Sequence, residues 1–512
     1  MKPKLLIAGA WAAVIAAAIL AACGGGSSSN SPGASTTAMA GASGVITGFG
    51  SILVNGHEFG TNMNTQVLDG DNDDAASSTA SLQVGMTVDV DASGGTATML
   101  RFTSAVRGEV DSIDAMGNTL TVLGQTVQVT SGTSFAGNGG NSSSATPIMQ
   151  LSDIHTGDYV VVYGYLECTG SGGCPGATTI VATLVNEPSS IGKYRVQGYV
   201  TNYSAGMGMN SFTINGLTVD VVTTGASPTH CNTMNCAFSN GNFVSVRSTT
   251  APSTMGGALT LTANDVKLRP VAPTFSAGAT VTIEGPVTQL SGTSFVVRGI
   301  SVDASGIPTM VAGLQNNQIV EVTGTITSSG TLMATSIDVE RAATFALMGA
   351  LDSVSSTGFS LLGQSFSVTS STRFVDWATD VRPFNSTNFA TVLMAGDQLI
   401  VSGYPSGSSN VATRVERIRK PSSPQAAVAG VVSSDNAPTD TMMTVAGITV
   451  TLSSSTQLFY SGAGSTPTLA GFFAAITPNS TIGLAFGTPG SSTGTITAAD
   501  AALLRPGAHW ED

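Results

Sequence analysis

The sequence predicts an all-β protein, a tandem array of about six small β-barrel modules, and three observations carry that prediction. Apolar residues alternate with polar or small ones along short runs, the period of a half-buried strand. Gly-centred turn signals separate those runs. The same succession of runs recurs six times after residue 44.

The copy at 349–418 shows the succession best. Phe359 and Leu361, then Phe366 and Val368, are spaced by two, with Gly363-Gln364 read as the turn between them. An earlier strand starts at Gly349 and ends in Asp352–Gly358. After a long connection, Gly396-Asp397 turns into Leu399 and Val401, and a last strand carries Val411, Val415 and Ile418. The order is three strands, a connection and two strands. It fits an OB-like barrel by fold analogy. The alternation puts Val401 in the core and Ser402 on the outside.

The copies start at Gly44, Gly108, Gly198, Gly285, Gly349 and Gly430. Each has a Gly-turned hairpin: VNGHEF, VLGQTVQV, INGLTVDV, VRGISVDA, LLGQSFSV and VAGITVTL. Fourth-strand segments run from VGMTVDV and TGDYVVVYG to AGDQLIVSG and NSTIGLAFG, and each copy closes on a fifth, such as NVATRVERI. The strands stay alike while the connections vary, as modules with free surface loops would do. The implied divisions are 44–105, 106–190, 191–273, 274–342, 343–423 and 424–512.

GDYVVVYG and GDQLIVSG, followed by ATxVxxI after a GxVxxV start, resemble the bacterial repeat family known as domain of unknown function 5666. The likeness spans about 44–507 and is good in the copies at 108 and 349 and fair at 285. It weakens at 44, 198 and 430, where the Gly-Asp pair becomes Gly-Met, Gly-Asn and Asn-Ser. The family has no established activity, so the resemblance implies no catalytic residue.

Ahead of the copies, residues 1–22 read as a signal peptide: Lys2 and Lys4, an apolar run from Leu5 to Leu20 containing Trp11, then Leu20-Ala21-Ala22-Cys23. This end resembles the bacterial lipoprotein signal, which implies lipidation (palmitate included) at Cys23. The run of about 16 residues is short for a membrane span. Gly24 in place of Asp implies the outer membrane, with the periplasmic or cell-surface side left open. Residues 23–43 add a Gly/Ser-rich, uncharged tether with a root-mean-square reach of roughly 25 Å.

Composition narrows the function classes. Charged residues make up 10%, and the net charge is −13, or −15 without Lys2 and Lys4. A nucleic-acid partner would need a basic stripe, and the nearest candidate, RVERIRK at 414–420, ends a strand. An aromatic content of 6% argues against one large continuous core. Modules of about 65 residues are marginal alone, so neighbours are expected to pack while unfolding as beads on a string.

Four constellations stand out. Cys168 with Cys174, and Cys231 with Cys236, are close pairs that read as disulfides in an exported chain, the rival being a metal site with His230. Asp69, Asp71 and Asp73 alternate as in a Ca²⁺ loop, but the later positions of that motif are Asp74 and Ala80. The solvated-loop reading is therefore preferred, with no metal. Gly490-Ser491-Ser492-Thr493-Gly494 matches a nucleophile elbow yet lies in a predicted hairpin turn, and His57, His155, His230 and His509 are scattered. The connection 371–395 carries Arg373, Phe374, Trp377, Arg382, Phe384 and Phe389, residue types enriched at binding hot spots. It is the candidate binding surface, although the same aromatics would also plug the end of their own barrel.

The resulting expectation is a lipid-anchored envelope protein with a non-enzymatic structural or interaction role. No cofactor is expected. The partners would be the membrane, through the lipid, and an unidentified envelope or extracellular component. A carbohydrate-binding or adhesive protein is the alternative. A hydrolase is a further rival and would need His and carboxylates to converge from different copies.

Overall fold

A computed structural model describes residues 39–504, apart from 50, 115–116, 131, 138–147, 149–150, 169–177, 256, 341–342, 370–371, 377, 380, 382–383, 408, 436–440 and 461–466. Cys23, the signal peptide, Cys174, Trp377 and Arg382 therefore lie outside the described residues. Among the described residues, no helix is long and apolar enough to cross a membrane.

The protein is nearly all β, with several small closed barrels. In the fifth module, strand one is Phe345–Val354, strand two Gly358–Leu361, strand three Gln364–Ser367, strand four Gln398–Ser406 and strand five Ser409–Ile418. Strands one, two and three pair antiparallel in turn, as do five with four and four with one. Strand three closes the ring on strand five in parallel, Phe366 facing Asn410. The ring order 1-2-3-5-4-1 is the connectivity of an OB barrel. The sixth, fourth and second modules repeat it. In the first, the parallel closure shrinks to a single bridge between Gly60 and Thr96. The third departs. Its first strand breaks into Tyr194–Tyr199 and Thr201–Ser204, its fifth into Ala258–Thr262 and Asp265–Leu268, and the halves join different sheets.

The recurrent glycines have a common cause. The six hairpin turns are Asn55-Gly56, Leu123-Gly124, Asn215-Gly216, Arg298-Gly299, Leu362-Gly363 and Ala446-Gly447, and both residues of every pair have positive φ. That is the type I′ turn, whose twist matches the flanking strands. The fifth-module turn is therefore Leu362-Gly363, one residue earlier than the Gly363-Gln364 read from sequence. The first turn residue folds its side chain back over strand one. A Cβ on Gly108 would lie 2.7 Å from Leu123 Cγ, one on Gly285 2.9 Å from Arg298 Cγ, and one on Gly349 2.9 Å from Leu362 Cγ. In these three modules the opening glycine makes room for its own hairpin, while at Gly430 the nearest atom is Phe345 Cβ of the fifth module. A second glycine, inside strand four of the second, fourth, fifth and sixth modules, sits at a bulge. A Cβ on Gly164, Gly324, Gly403 or Gly487 would come within 2.0–2.5 Å of a strand-five carbonyl oxygen.

Modules pack against one another, as expected of neighbours, and do so by sharing sheets. Strand one of the second module pairs antiparallel with strand one of the third, Val106 facing Val196. Strand one of the fifth pairs likewise with strand one of the sixth, from Phe345–Gly430 to Met348–Ala427. The first and fourth modules, distant in sequence, pair in parallel from Gly41–Val281 to Ser43–Ile283. One apolar cluster runs through modules one to three, including Ile46, Leu100, Val122, Tyr163, Val219 and Val246. Another spans modules five and six through Leu347, Phe374, Val428 and Phe472. The low aromatic content misled, because Val, Ile, Leu and Ala fill these continuous cores.

Ser402 is a second correction. Val401 is fully buried, but Ser402 is only 8% exposed. The neighbour sharing its face, Ile400, packs with Met348, Ala429 and Leu484 in a layer between modules five and six. Both faces of this strand are covered, so alternation alone does not identify an outside.

Candidate functional site

The connection 371–395 folds inward. Arg373–Asp376 adds a parallel strand beside strand five, and Phe389–Val392 forms one helical turn. The rings of Phe374 and Phe384 lie 5.0 Å apart, those of Phe374 and Phe389 5.6 Å, and all three are buried. They plug the barrel end. Asp376 organises the loop by accepting from the backbone N–H of Ala378, Thr379 and Val381 and from the Thr379 hydroxyl. Burial alone would raise its pKa, yet these bonds hold it below the usual value. Arg373 is 4% exposed and Phe384 3%, so the expected binding surface is corrected at both residues: they are interior.

Arg373 leads to a junction of three modules. Its guanidinium contacts the Gly132 carbonyl of the second module and lies 3.4 Å from Glu340 and 3.8 Å from Glu284, both of the fourth. Tyr165 of the second module donates to Glu284 at 2.9 Å. Arg298 stacks over the Tyr165 ring and reaches Asp89 of the first module at 3.3 Å. Burial, then the nearby Glu340 charge, push the Glu284 carboxyl up to about 8, against the lowering effect of Arg373.

The acidic loop forms a second junction. Asp69 accepts from the Asp71 N–H at 2.9 Å and caps the turn. Asp71 is buried, accepts from the Ser104 N–H, and faces Arg195 at 3.1 Å and Arg107 at 3.4 Å. Asp73 meets Lys267 and Arg247, while Asp74 meets Arg101 and Arg269. The carboxylates thus point at separate cationic side chains from three modules rather than converging on one ion, and the loop is docked rather than solvated. Among the described residues no group of three or more His, Cys, Asp or Glu is placed to hold a metal. Sequence reasoning missed this junction. The available signal was an arginine near the opening glycine in RGEV and RVQG, a charge inside an otherwise apolar first strand.

Cys231 and Cys236 form a disulfide. Cys168 ends a strand, and Cys174 lies outside the described residues. Gly490–Gly494 lies in the turn between strands Ile482–Pro489 and Thr495–Leu504, where Thr495 donates to the Ser492 carbonyl. A histidine and a carboxylate do meet across copies, His57 of the first module and Glu321 of the fourth at 3.1 Å. The hydroxyl beside them, Thr282, donates to Glu321, which does not make it a nucleophile activated by His57.

One open concavity, of about 270 Å³, lies on the fifth module over strands two and three and the loops beside them. Ser353, Ser360 and Ser365 face one another across three adjacent strands, and the Ser353 and Ser360 hydroxyls are 2.7 Å apart. Ser355, Thr357, Ser367 and Ser409 extend the rim, while the adjacent Phe359 and Phe366 pack into the barrel core. No charged side chain lines it. Its chemistry is hydrogen bonding to a neutral polar ligand. In OB barrels this face and these loops hold oligonucleotides or oligosaccharides. The absence of positive charge here disfavours the former.

Comparison with known families comes to the same repeats. Residues 43–98, 107–171, 284–338 and 348–416 match the family described as Domain of unknown function (DUF5666). No curated protein matches the sequence. The third and sixth copies fall outside the matched stretches, although the sixth has the same ring order as the fifth.

Proposed function

We propose, for a chain that carries DUF5666 repeats, a lipid-anchored cell-envelope protein with a non-enzymatic structural or interaction role. The observation that carries this reading is how the buried ionisable groups are used. Asp71, Arg195, Glu284 and Arg373 hold modules to one another. All four are buried, whereas acid–base chemistry draws on perturbed groups exposed in a cleft. The Leu20–Cys23 signal supports the anchor. Cys23→Ser is expected to abolish palmitate incorporation and to release the protein from the membrane fraction. Retained palmitate and membrane fractionation would refute the anchor. Cross-linking the lipidated protein in intact cells and identifying what it captures tests the interaction role.

A carbohydrate-binding reading is the second, favoured by the uncharged, serine-ranked concavity of the fifth module. Calorimetric titration with chitohexaose, maltohexaose and cellohexaose tests it. Binding that disappears in Ser360→Glu supports this reading. Binding unaffected by that substitution, or no heat with any of the three, removes it.

A further inference from the structure

The apolar surface of this protein has an unusual composition. Among the described residues, fourteen large apolar side chains are exposed, and eight of them are methionine. Four methionines are buried, namely Met39, Met86, Met348 and Met443. Leucine partitions the other way, with Leu268 alone exposed and twenty-one buried. The two side chains are both unbranched at Cβ and pack interchangeably at small cost. Side-chain size therefore does not account for opposite partitions. What differs is the sulfur.

The exposed set is Met63 in the first module, Met207, Met209 and Met234 in the third, Met310 and Met333 in the fourth, Met394 in the fifth and Met442 in the sixth. A docking surface would gather its apolar residues into one patch. These are spread over five modules. Met63, Met207 and Met234 are 97%, 106% and 85% exposed, with nearly the whole thioether in solvent. The thioethers of these three are thus accessible nucleophiles, and the other five are partly exposed, from 38% at Met333 to 66% at Met394. The sulfurs of Cys231 and Cys236 are already joined and are not free thiols.

We propose that the exposed methionines make this protein a sacrificial sink for two-electron oxidants of the hypohalous acid class. With hypochlorous acid, each thioether sulfur loses two electrons and gains an S–O bond. The O–Cl bond breaks, and chloride and a proton leave to solvent. The product, methionine sulfoxide, is polar and disrupts a core when it forms inside one. At Met63, Met207 and Met234 its oxygen is hydrated instead, and at the partly exposed positions it has a side open to solvent, so the fold is expected to survive oxidation. The four methionines whose oxidation would disrupt packing are shielded. This inference does not depend on the lipid anchor or on a glycan ligand.

The test uses the full chain in detergent, titrated with hypochlorous acid to eight equivalents in the presence of an equimolar reporter enzyme that the reagent inactivates. Peptide mapping is expected to place sulfoxide on the eight exposed residues and to leave Met39, Met86, Met348 and Met443 unmodified, with the melting temperature unchanged. The reporter should be spared. Changing all eight residues to Gln should remove most of that protection, and changing Met207, Met209 and Met234 alone should remove about three-eighths of the share lost, in proportion to their number in the exposed set. Protection by the eight-site variant equal to that of the unaltered chain would overturn the proposal. So would unfolding, or oxidation of the four buried residues, before the eight exposed ones are consumed.

Discussion

Removing the Asp71 carboxylate tests whether the charge junctions hold the modules together. In Asp71→Ala, Arg195 is left 1% exposed with its closest anionic partner gone. Breaking a buried ion pair by deleting one partner costs about 3–5 kcal/mol, because the remaining charge stays desolvated. Arg107 keeps about a quarter of its side chain in solvent, so its share is screened and adds little. The Ser104 N–H loses its acceptor, worth about 1 kcal/mol. A loss of about 4–6 kcal/mol is a large fraction of a domain's stability. Urea unfolding, followed by hydrogen exchange in the strands of modules one to three, reads the effect. The double variant Asp71→Ala/Arg195→Met removes both charges and should regain most of the loss, since an apolar replacement of a buried pair is often neutral. A single variant within about 1 kcal/mol of the unaltered protein, the range of a surface pair, would refute the reasoning.

Two further outcomes follow from the same packing. Glu284 has an ordinary value of 4.5 and a folded value of about 8, so between those limits the folded chain holds a proton that the unfolded chain has released. Its contribution to stability is therefore complete at low pH and lost as pH rises towards 8. Thermal melts should fall in temperature across this window, and Glu284→Gln, which still accepts from Tyr165, should flatten that part of the profile. Gly349→Ala would press a methyl against Leu362 Cγ at 2.9 Å, costing about 1–3 kcal/mol as overpacking. Chemical denaturation should show that loss, and adding Leu362→Ala should restore part of it.

The strands were legible in the sequence because their signal is local. Alternation, turn glycines and sixfold recurrence each occupy a few residues, and the type I′ geometry at pairs such as Asn55-Gly56 follows from them. What joins the modules was not legible. Strand one of the first module pairs with strand one of the fourth across about 240 residues, and no periodicity records a partner at that distance. Ser402 shows the same limit. A serine between Val401 and Gly403 reads as outward until a second module covers that face. At 371–395 the sequence supplied Arg373 and Phe384 as hot-spot residue types. Those types serve equally well to close a small barrel and bridge three modules, and only the packing decides between the two uses.

Hydrogen exchange of the Val401→Asp protein tests the fused architecture most directly. Val401 is fully buried in a cluster that spans modules five and six, and an unpaired carboxylate there costs several kcal/mol. Strand one of the fifth module pairs with strand one of the sixth through four residue pairs. The account predicts that protection is lost together in Phe345–Val354, Ala426–Asp435 and Ile482–Pro489. Loss confined to the fifth module, with Ala426–Asp435 as protected as in the unaltered chain, would mean that the modules fold as separate beads and would contradict it.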